Sequence, residues 1–322
     1  MSNPVLQVLR VEPDEAGTRA DAFLSAKLEI SRARARQIIE TATLGDKKLK
    51  PSTTLREGDE LSFDPTQSAE IEEFPVALDS ENQWADLEFL YQDDAILVLN
   101  KPAGLSVHPG AGEAQVTLVD LLKARGIPLS DLGPKHRAGI VHRLDKDTSG
   151  VMVLAKTNAA HEKLSAAFKN REIEKQYFAL CCGIPPTRGR IEAPIARSPS
   201  NRKKMSVRPE GRASVTQYSV EKKWAKFAQL SVELLTGRTH QIRVHLAYIG
   251  HAVAGDPLYG GLHRALDCAP NDAARAAFEA LNAQVLHARR IAFAHPISGE
   301  AMEFEAPLPP AIAAIVAALD LE

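Results

Sequence analysis

The stretch Gly139-Ile-Val-His-Arg-Leu-Asp-Lys-Asp-Thr-Ser-Gly150, followed by Val151-Met-Val-Leu-Ala155, is the part of the sequence that says most about the fold. Two glycines bracket a run of charged side chains, and aliphatic or β-branched residues lie on both sides. This pattern predicts a strand, a loop and a second strand, with the polar side chains at the loop tip. A loop that leads into a buried strand holds its side chains in place, as catalysis requires. The alternative is an ordinary charged surface turn.

Composition narrows the class of protein. The chain has 322 residues, of which 44% are hydrophobic and 25% charged, so it is long enough for two globular domains. No apolar run approaches the length that spans a membrane, and the first residues do not resemble a secretion signal. Three cysteines, Cys181, Cys182 and Cys268, have neither a disulfide nor a metal-ligand spacing. We therefore expect a cytoplasmic protein that does not bind membranes.

Charge is segregated along the chain, although the net charge is only −2. Residues 18–56 contain nine Lys or Arg and four acidic residues, whereas residues 57–94 contain thirteen acidic residues and no Lys or Arg. Residues 187–212, here called the basic segment, contain eight basic and two acidic residues. Two basic regions separated by an acidic one suggest a polyanion bound at two places, with nucleic acid as the leading candidate. Two solvated charged faces are the alternative for either region alone.

The N-terminal region has the pattern of a small mixed domain. A first helix carries Phe23 and Leu24, and a second, capped by Ser31, runs from Arg32 to Glu40 with Ile38 and Ile39 inward. Arg32, Arg34 and Arg36 are expected on its outer face. The region resembles the S-four RNA-binding domain, although Thr43-Leu-Gly-Asp-Lys47 replaces the usual Asn-Gly hairpin. We predict an S-four-like RNA-binding domain over residues 1–64, an acidic linker over 65–86 and a catalytic domain over 87–322.

Periodicity in the larger domain predicts short strands and helices in alternation. Strands are expected within 87–100, 173–182, 215–220 and 227–234, and helices after Gln115, after a cap at Asn158, over 240–249 after a cap at Thr239, and over 309–319. His240 and Arg243 fall on one stripe of the 240–249 helix. His240 and His245 are five residues apart, which is a poor spacing for a shared metal, so no metal is assigned. For Arg243 alone, a solvated position is the alternative.

Several motifs resemble those of the RluA family of pseudouridine synthases. His142-Arg-Leu-Asp-Lys-Asp-Thr-Ser-Gly150 is similar to the catalytic loop of that family, Glu174-Lys-Gln-Tyr-Phe-Ala179 to the second motif and Gly237-Arg-Thr-His-Gln-Ile-Arg-Val-His245 to the third. Further segments match in the same order: Asn100-Lys-Pro-Ala-Gly104, Val107-His-Pro-Gly-Ala-Gly112, Gly255-Asp-Pro-Leu-Tyr-Gly260, Leu286-His-Ala288 and His295-Pro-Ile-Ser-Gly299. The resemblance extends from Leu87 to Pro310 and is strongest for the RluD-type branch, which modifies large-subunit ribosomal RNA.

The resemblance implies a fold and a set of site residues. The fold would be α+β, with a mixed, mainly antiparallel central sheet and flanking helices, preceded by the small α/β domain. Asp145 would be the catalytic carboxylate, Arg243 the cation that keeps it ionised, and Tyr177 the aromatic residue that packs against the target base. Arg143 would fill the space left by the flipped base. His142, Lys175 and His240 are further candidates for contact with the substrate.

The implied reaction converts uridine to pseudouridine without gain of atoms or change of redox state, so we expect no cofactor. Whether Asp145 adds to the base, attacks the sugar or removes a sugar proton stays open. The basic segment is expected to be a mobile loop, in which Arg202, Lys203 and Lys204 would hold the RNA backbone. The substrate would be a loop uridine of large-subunit ribosomal RNA, and the enzyme a monomer.

Three alternatives remain at this point. The same chemistry could act on transfer RNA or on another ribosomal site. A non-catalytic ribosome-assembly factor would explain both basic regions, but it would leave the ordered set of Asp145, Tyr177 and Arg243 unexplained. A metal-dependent nuclease or phosphatase would use Asp145 and Asp147 with nearby histidines, and a chelator would abolish its activity.

Overall fold

The computed structural model describes residues 6–28, 32–39, 42–45, 47–63, 84, 86–108, 116–132, 137–281 and 283–321. Contacts group the chain into two compact units. The first contains the described residues within 1–82 and 108–138, and the second contains those within 83–107 and 139–322. The predicted linker at 65–86 lies outside the described residues except for Trp84 and Asp86. The predicted domain boundaries therefore stay predictions.

The first unit contains a four-stranded antiparallel sheet. Its elements are β1 (Gln7–Arg10), a short 3-10 helix (Pro13–Glu15), α1 (Ala20–Lys27), α2 (Arg32–Ile39), β2 (Thr43–Leu44), β3 (Lys47–Lys48) and β4 (Glu60–Phe63), in the sheet order β1-β4-β2-β3. As predicted, Phe23, Leu24, Ile38 and Ile39 are buried in its core. Arg36 is exposed and ion-pairs with the buried Asp21. Ser31 and the side chains of Arg32 and Arg34 lie outside the described residues.

The second unit contains most of the remaining elements. In chain order the chain forms β5 (Glu88–Gln92), β6 (Ile96–Lys101), α3 (Leu118–Ala124), β7 (Ser149–Ala155), α4 (Asn158–Asn170), β8 (Glu174–Cys182), β9 (Arg188–Glu192), β10 (Ile195–Arg197), β11 (Met205–Val207), β12 (Val215–Lys223), β13 (Phe227–Leu234), α5 (Gln241–Tyr248), α6 (Gly261–Cys268), α7 (Asp272–Leu281), β14 (Leu286–Ala294), β15 (Ala301–Glu305) and α8 (Pro310–Leu319). Of these, α3 groups with the first unit.

A nine-stranded sheet forms the centre of the second unit. Its strand order is β5-β6-β7-β14-β8-β13-β12-β9, and β15 pairs with β14. Every neighbouring pair is antiparallel except β7 and β14, which are parallel. The predicted class, α+β with a mixed and mainly antiparallel sheet, is confirmed.

Two apolar clusters stabilise this sheet. One packs β8 and β13 against α6, α7 and α8, and includes Phe227, whose ring stacks on that of Phe278. The other packs β6 and β7 against α4 and β15. All seven residues of β7 are buried, as its apolar sequence predicted. A strand buried on both faces is a rigid support for the loop that precedes it.

Three local predictions differ from the structure. Thr157, not Asn158, caps α4, because its side chain accepts a hydrogen bond from the backbone of Ala160. His240, not Thr239, caps α5, in a left-handed conformation. The basic segment is not simply a loop, since β9 joins the main sheet and β10 pairs with β11. Within the described residues, no helix is both long and apolar enough to cross a membrane.

Candidate active site

The loop that carries Asp145 is fixed at its exit, where β7 runs parallel to β14. Gly150 has φ +115°, and a Cβ atom there would lie 2.2 Å from the carbonyl oxygen of Ala288. No other residue type fits this close approach. Next to it, Ser149 Oγ lies 2.8 Å from His287 Nδ1, and Gln284 donates to Thr148 Oγ1 at 3.1 Å. The side chains of Thr148 and Ser149 therefore help to hold the turn.

Lys101 fixes the loop from a second direction, a role that its sequence motif did not indicate. Its side chain is fully buried, and Nζ donates to the carbonyl oxygens of Pro102, Leu105 and Lys146 at 2.8, 2.9 and 2.9 Å. Burial lowers the pKa of Lys101 to about 7, against the opposing charges of Asp147 and Asp145. Three donors meet three acceptors, so the backbone immediately after Asp145 is held in one position.

His142 lies inside this frame. Its ring stacks on Phe168 at 4.6 Å between centroids, and Nε2 accepts a hydrogen bond from the backbone N–H of Val153 at 3.0 Å. Burial, with a smaller contribution from Lys175, lowers the pKa of His142 to about 3. The imidazole is therefore neutral at neutral pH, which its acceptor role requires. Its observed contacts support the loop, and contact with a substrate is untested.

Arg243 reaches the site from α5, a helix that is held at its first turn. Gln241 Oε1 accepts from Thr236 Oγ1 at 2.8 Å, and Gln241 Nε2 donates to the carbonyl oxygen of Val215 and to Thr216 Oγ1, each at 3.0 Å. His245, one turn later, bonds Thr216 Oγ1 and the carbonyl oxygen of Ala193. Arg243 is thus buried, and the alternative of a solvated position on the helix is wrong.

Arg243 binds two carboxylates at once. Its Nη1 donates to Asp145 Oδ2 at 3.0 Å, while Nε and Nη2 donate to Asp256 Oδ2 and Oδ1 at 2.7 and 3.0 Å. Burial alone would lower the pKa of Arg243, but hydrogen bonds and charge from Asp256 and Asp145 raise it well above its usual value. The guanidinium is therefore always charged, and it places a fixed positive charge in hydrogen-bond contact with Asp145.

Tyr177 lies on β8 between Val232 of β13 and Ala288 of β14. Its side chain is buried, and burial together with the charge of Asp145 raises its pKa above the usual range. Tyr177 is thus close enough to Asp145 for the charge of that carboxylate to disfavour loss of the hydroxyl proton of Tyr177. Lys175, two residues earlier, is placed differently: its Nζ lies 5.4 Å from the centre of the Phe168 ring, beside His142.

His240 and Arg143 are two further site candidates in the region of Asp145. His240 Nε2 is 4.0 Å from Asp145 Oδ2, and Nδ1 is 2.8 Å from the Tyr259 hydroxyl. Burial is the largest influence on the pKa of His240 and lowers it; the charge of Asp145 opposes this. Arg143 is exposed, and its charge also contributes to lowering the pKa of His240. His240 is therefore close to the carboxylate and Arg143 close enough to affect His240, while the roles of both residues stay predictions.

The three residues predicted to contact phosphates lie in the turn between β10 and β11. Arg202 and Lys203 are exposed, and Arg197 donates to the carbonyl oxygen of Arg202 at 2.6 Å. Lys204 is half-buried, with Nζ 6.0 Å from the centre of the Tyr259 ring. Arg202, Lys203 and Lys204 are called the basic turn below.

Asp256 and Tyr259 are site residues to which the sequence analysis gave no role. They lie in Gly255-Asp-Pro-Leu-Tyr-Gly260, where a carboxylate and an aromatic residue stand between glycines. Gly255 has φ +75°, and a Cβ there would lie 2.3 Å from the carbonyl oxygen of Ala283. The placement of Asp256 and Tyr259 between two glycines was the sequence feature that could have indicated a site, but it does not reveal the partner of either side chain. In the described part of the chain, no group of three or more His, Cys, Asp or Glu could hold a metal ion.

Comparison with known proteins agrees with the motifs. Residues 95–248 match the family model described as RNA pseudouridylate synthase. The ribosomal large subunit pseudouridine synthase D of Xanthomonas campestris pv. campestris is 40% identical over 324 residues, which cover 99% of this chain and 95% of that protein. The protein of the same name from Pasteurella multocida is 44% identical over 236 residues, covering 72% of this chain and 71% of the other.

A solved structure supports the same conclusion. Human RNA Pseudouridylate Synthase Domain Containing 1 superposes with a TM-score of 0.55 at 26% identity, covering 72% of this chain and 87% of that chain. The agreement thus extends from single motifs to nearly the whole sequence and to the fold. The chain belongs to the RluA family of RNA pseudouridine synthases, in its RluD-type branch.

Proposed function

We propose that this enzyme converts specific uridines of large-subunit ribosomal RNA to pseudouridine, with Asp145 as the reacting carboxylate. The names of the relatives support the substrate class. One observation supports the role of Asp145 most strongly: Arg243 binds Oδ2 at 3.0 Å, while within the described residues no hydrogen bond reaches Oδ1. The side chain is 17% exposed, so the other oxygen is available to a substrate.

The proposed reaction breaks the bond from N1 of the base to C1′ of the sugar and forms a bond from C5 to C1′. C5 loses a hydrogen and N1 gains one, so atoms balance without a cofactor. A carboxylate buried beneath a base loses contact with water, which disfavours its charged form, and a protonated acid is a poor nucleophile and a poor base. The fixed charge of Arg243 counteracts this tendency whichever of the three roles Asp145 has.

Tyr177 is proposed to pack against the flipped base. Stacking on an aromatic ring contributes about 1 to 3 kcal/mol per base, which offsets much of the few kcal/mol needed to unstack a nucleotide. Arg143, exposed and close to His240, is proposed to fill the space that the base leaves. Lys175 and His142 are beside Phe168, so we propose that they act at the edge of the site.

The RNA backbone is proposed to bind the basic turn and the small N-terminal domain. Arg202 and Lys203 are exposed, so the phosphate groups of an RNA strand can approach their side chains. The small domain is proposed to affect target choice more than chemistry. The enzyme is further proposed to act as a monomer in the cytoplasm, where ribosomal RNA is made.

The test incubates ribosomal RNA with the wild-type protein or with Asp145→Asn, in a chelator and without added nucleotide. Pseudouridines are mapped with a reagent that blocks reverse transcription at them. We expect new stops at defined large-subunit positions with the wild-type protein and none with Asp145→Asn. Stops that disappear when the chelator is added, or that persist in Asp145→Asn, would refute the proposal.

A further inference from the structure

Tyr259 connects three parts of the candidate site. Its hydroxyl lies 2.8 Å from His240 Nδ1 and accepts a hydrogen bond from the backbone N–H of Met205 at 2.8 Å. Its ring lies 5.2 Å from Arg243 Cζ, within the range of a cation–π contact. One side chain thus contacts two neighbours of Asp145 at the start of α5, His240 and Arg243, and also the strand that follows the basic turn.

The hydrogen bonds of Tyr259 determine where the proton of His240 lies. Burial raises the pKa of Tyr259 to about 12, so its hydroxyl keeps its proton at neutral pH. The Met205 N–H can only donate, so among the described partners of the hydroxyl only Nδ1 of His240 can accept the hydroxyl proton. Burial lowers the pKa of His240, so the ring carries one proton. That proton is then on Nε2, the atom 4.0 Å from Asp145 Oδ2.

The backbone of His240 is a second, independent sign of a constrained residue. It has φ 56° and ψ 20°, a left-handed conformation that non-glycine residues rarely adopt. It is also the N-cap of α5, yet its side chain makes no capping hydrogen bond. The ring is directed to Tyr259 instead of to its own helix. Strained residues of this kind persist only where their surroundings hold them.

We propose that Tyr259 is a positioning residue that holds His240 in the tautomer whose Nε2–H faces the space beside Asp145, where it donates a hydrogen bond to a uracil oxygen. The proposal rests on the proposed function. A distance of 4.0 Å is too long for a direct bond to Asp145, so the donor is available to a ligand placed there. When the bond from N1 to C1′ breaks, negative charge spreads over the ring nitrogen and the carbonyl oxygens. A fixed donor stabilises that charge and transfers no proton.

The test measures single-turnover rate and RNA affinity separately in the full-length enzyme. The amide nitrogen of glutamine can take the place of His Nε2, whereas that of asparagine lies near Nδ1. We expect His240→Asn to lower the rate by about 10²-fold and His240→Gln to recover at least about tenfold of this loss. Equal rates for the two variants, or a faster Asn variant, would overturn the donor role of Nε2.

Tyr259→Phe keeps the ring and removes the hydroxyl. We expect it to lower the rate about tenfold in the wild-type background and less than about twofold in the His240→Gln background, because glutamine has no tautomer to fix. The same loss in both backgrounds, or a loss confined to RNA affinity, would overturn the proposal. Wild-type activity and the loss of activity in Asp145→Asn are measured alongside. If the wild-type protein is inactive, the proposed function fails; if only Tyr259→Phe behaves as wild type, this inference alone fails.

Discussion

The Asp145 loop and the turn that contains Asp256 both supply a carboxylate to Arg243, but the two carboxylates are held very differently. Asp256 is completely buried and, within the described residues, accepts four hydrogen bonds, two from Arg243 and two from the backbone N–H groups of Leu258 and Tyr259. Asp145 is 17% exposed and accepts one from the same described part of the chain. One arginine thus serves two purposes: Asp256 accepts from Nε and Nη2, which neutralises and orients the guanidinium, and Asp145 accepts from Nη1.

Removal of the shared arginine gives the largest expected effect, because both carboxylates lose their partner. In Arg243→Met, the charge of Asp256 stays buried without compensation, and such a loss costs about 3–5 kcal/mol. The free energy of unfolding, measured by denaturant titration, checks this. A variant as stable as the wild type would show that the buried pair does not support the fold.

Asp256→Asn and Asp145→Asn, measured as a matched pair, separate the two carboxylates. Hydrogen bonds to a charged partner contribute about 1.5–3 kcal/mol, so we expect a loss of this size for Asp256→Asn. For Asp145→Asn, with one contact and partial exposure, we expect a change below about 1 kcal/mol. Equal losses of unfolding free energy would remove the distinction between a supporting and a reacting carboxylate.

The basic turn should affect RNA binding without changing the carboxylates. Reversing the charges of Arg202, Lys203 and Lys204 should reduce the slope of log affinity against log salt concentration by roughly 2, about 0.7 per lost phosphate contact. The matched control reverses Lys163, Lys169 and Lys223, which are exposed elsewhere on the second unit. An unchanged slope in the first variant, or the same change in the control, would exclude the turn as a phosphate contact.

A separate expected effect concerns how the free energy of unfolding depends on pH, through His142 in the Asp145 loop. The unfolded chain protonates His142 below about pH 6.5, whereas in the fold its pKa is lowered to about 3. Between these values the unfolded state binds more protons, so the stability that neutral His142 contributes is complete above pH 6.5 and is lost as the pH falls toward 3.

His142→Gln can accept the same hydrogen bond from Val153 without titrating. The unfolding free energy of this variant should therefore fall less steeply than that of the wild type between pH 6.5 and 4. Parallel curves over this range would show that His142 is not the neutral acceptor that its contacts indicate.

Local sequence patterns predicted much of this fold. The apolar run Val151–Ala155 is a buried strand, and the alanine-rich C-terminal run is α8. Glycines at positions that no other residue type can occupy, such as Gly150, could be recognised in the sequence as the ends of strands and loops. The order of motifs predicted that Asp145, Tyr177 and Arg243 come from distant segments to one site. These features follow from interactions between residues close together in the sequence or from the family resemblance.

Other features depend on contacts that a sequence does not reveal. Arg243 is 98 residues from Asp145 in sequence, yet it also pairs with Asp256, only 13 residues away. Nothing in the residue types states which carboxylate is buried. The left-handed His240 and the burial of Lys101 likewise result from tertiary packing. Thr157 and Asn158 are neighbours, and both residue types are common N-caps, so propensity alone does not show which of them caps α4.

The central claim is that Asp145 reacts while Asp256 only supports Arg243. Formation of the bond from C5 to C1′ releases the hydrogen of C5, so RNA labelled with tritium at C5 of uridine reports the reaction directly. With saturating enzyme, we expect Asp145→Asn to release tritium at least about 10³-fold more slowly than the wild type, while Asp256→Asn retains a measurable rate. Release by folded Asp145→Asn within tenfold of the wild-type rate would contradict the account.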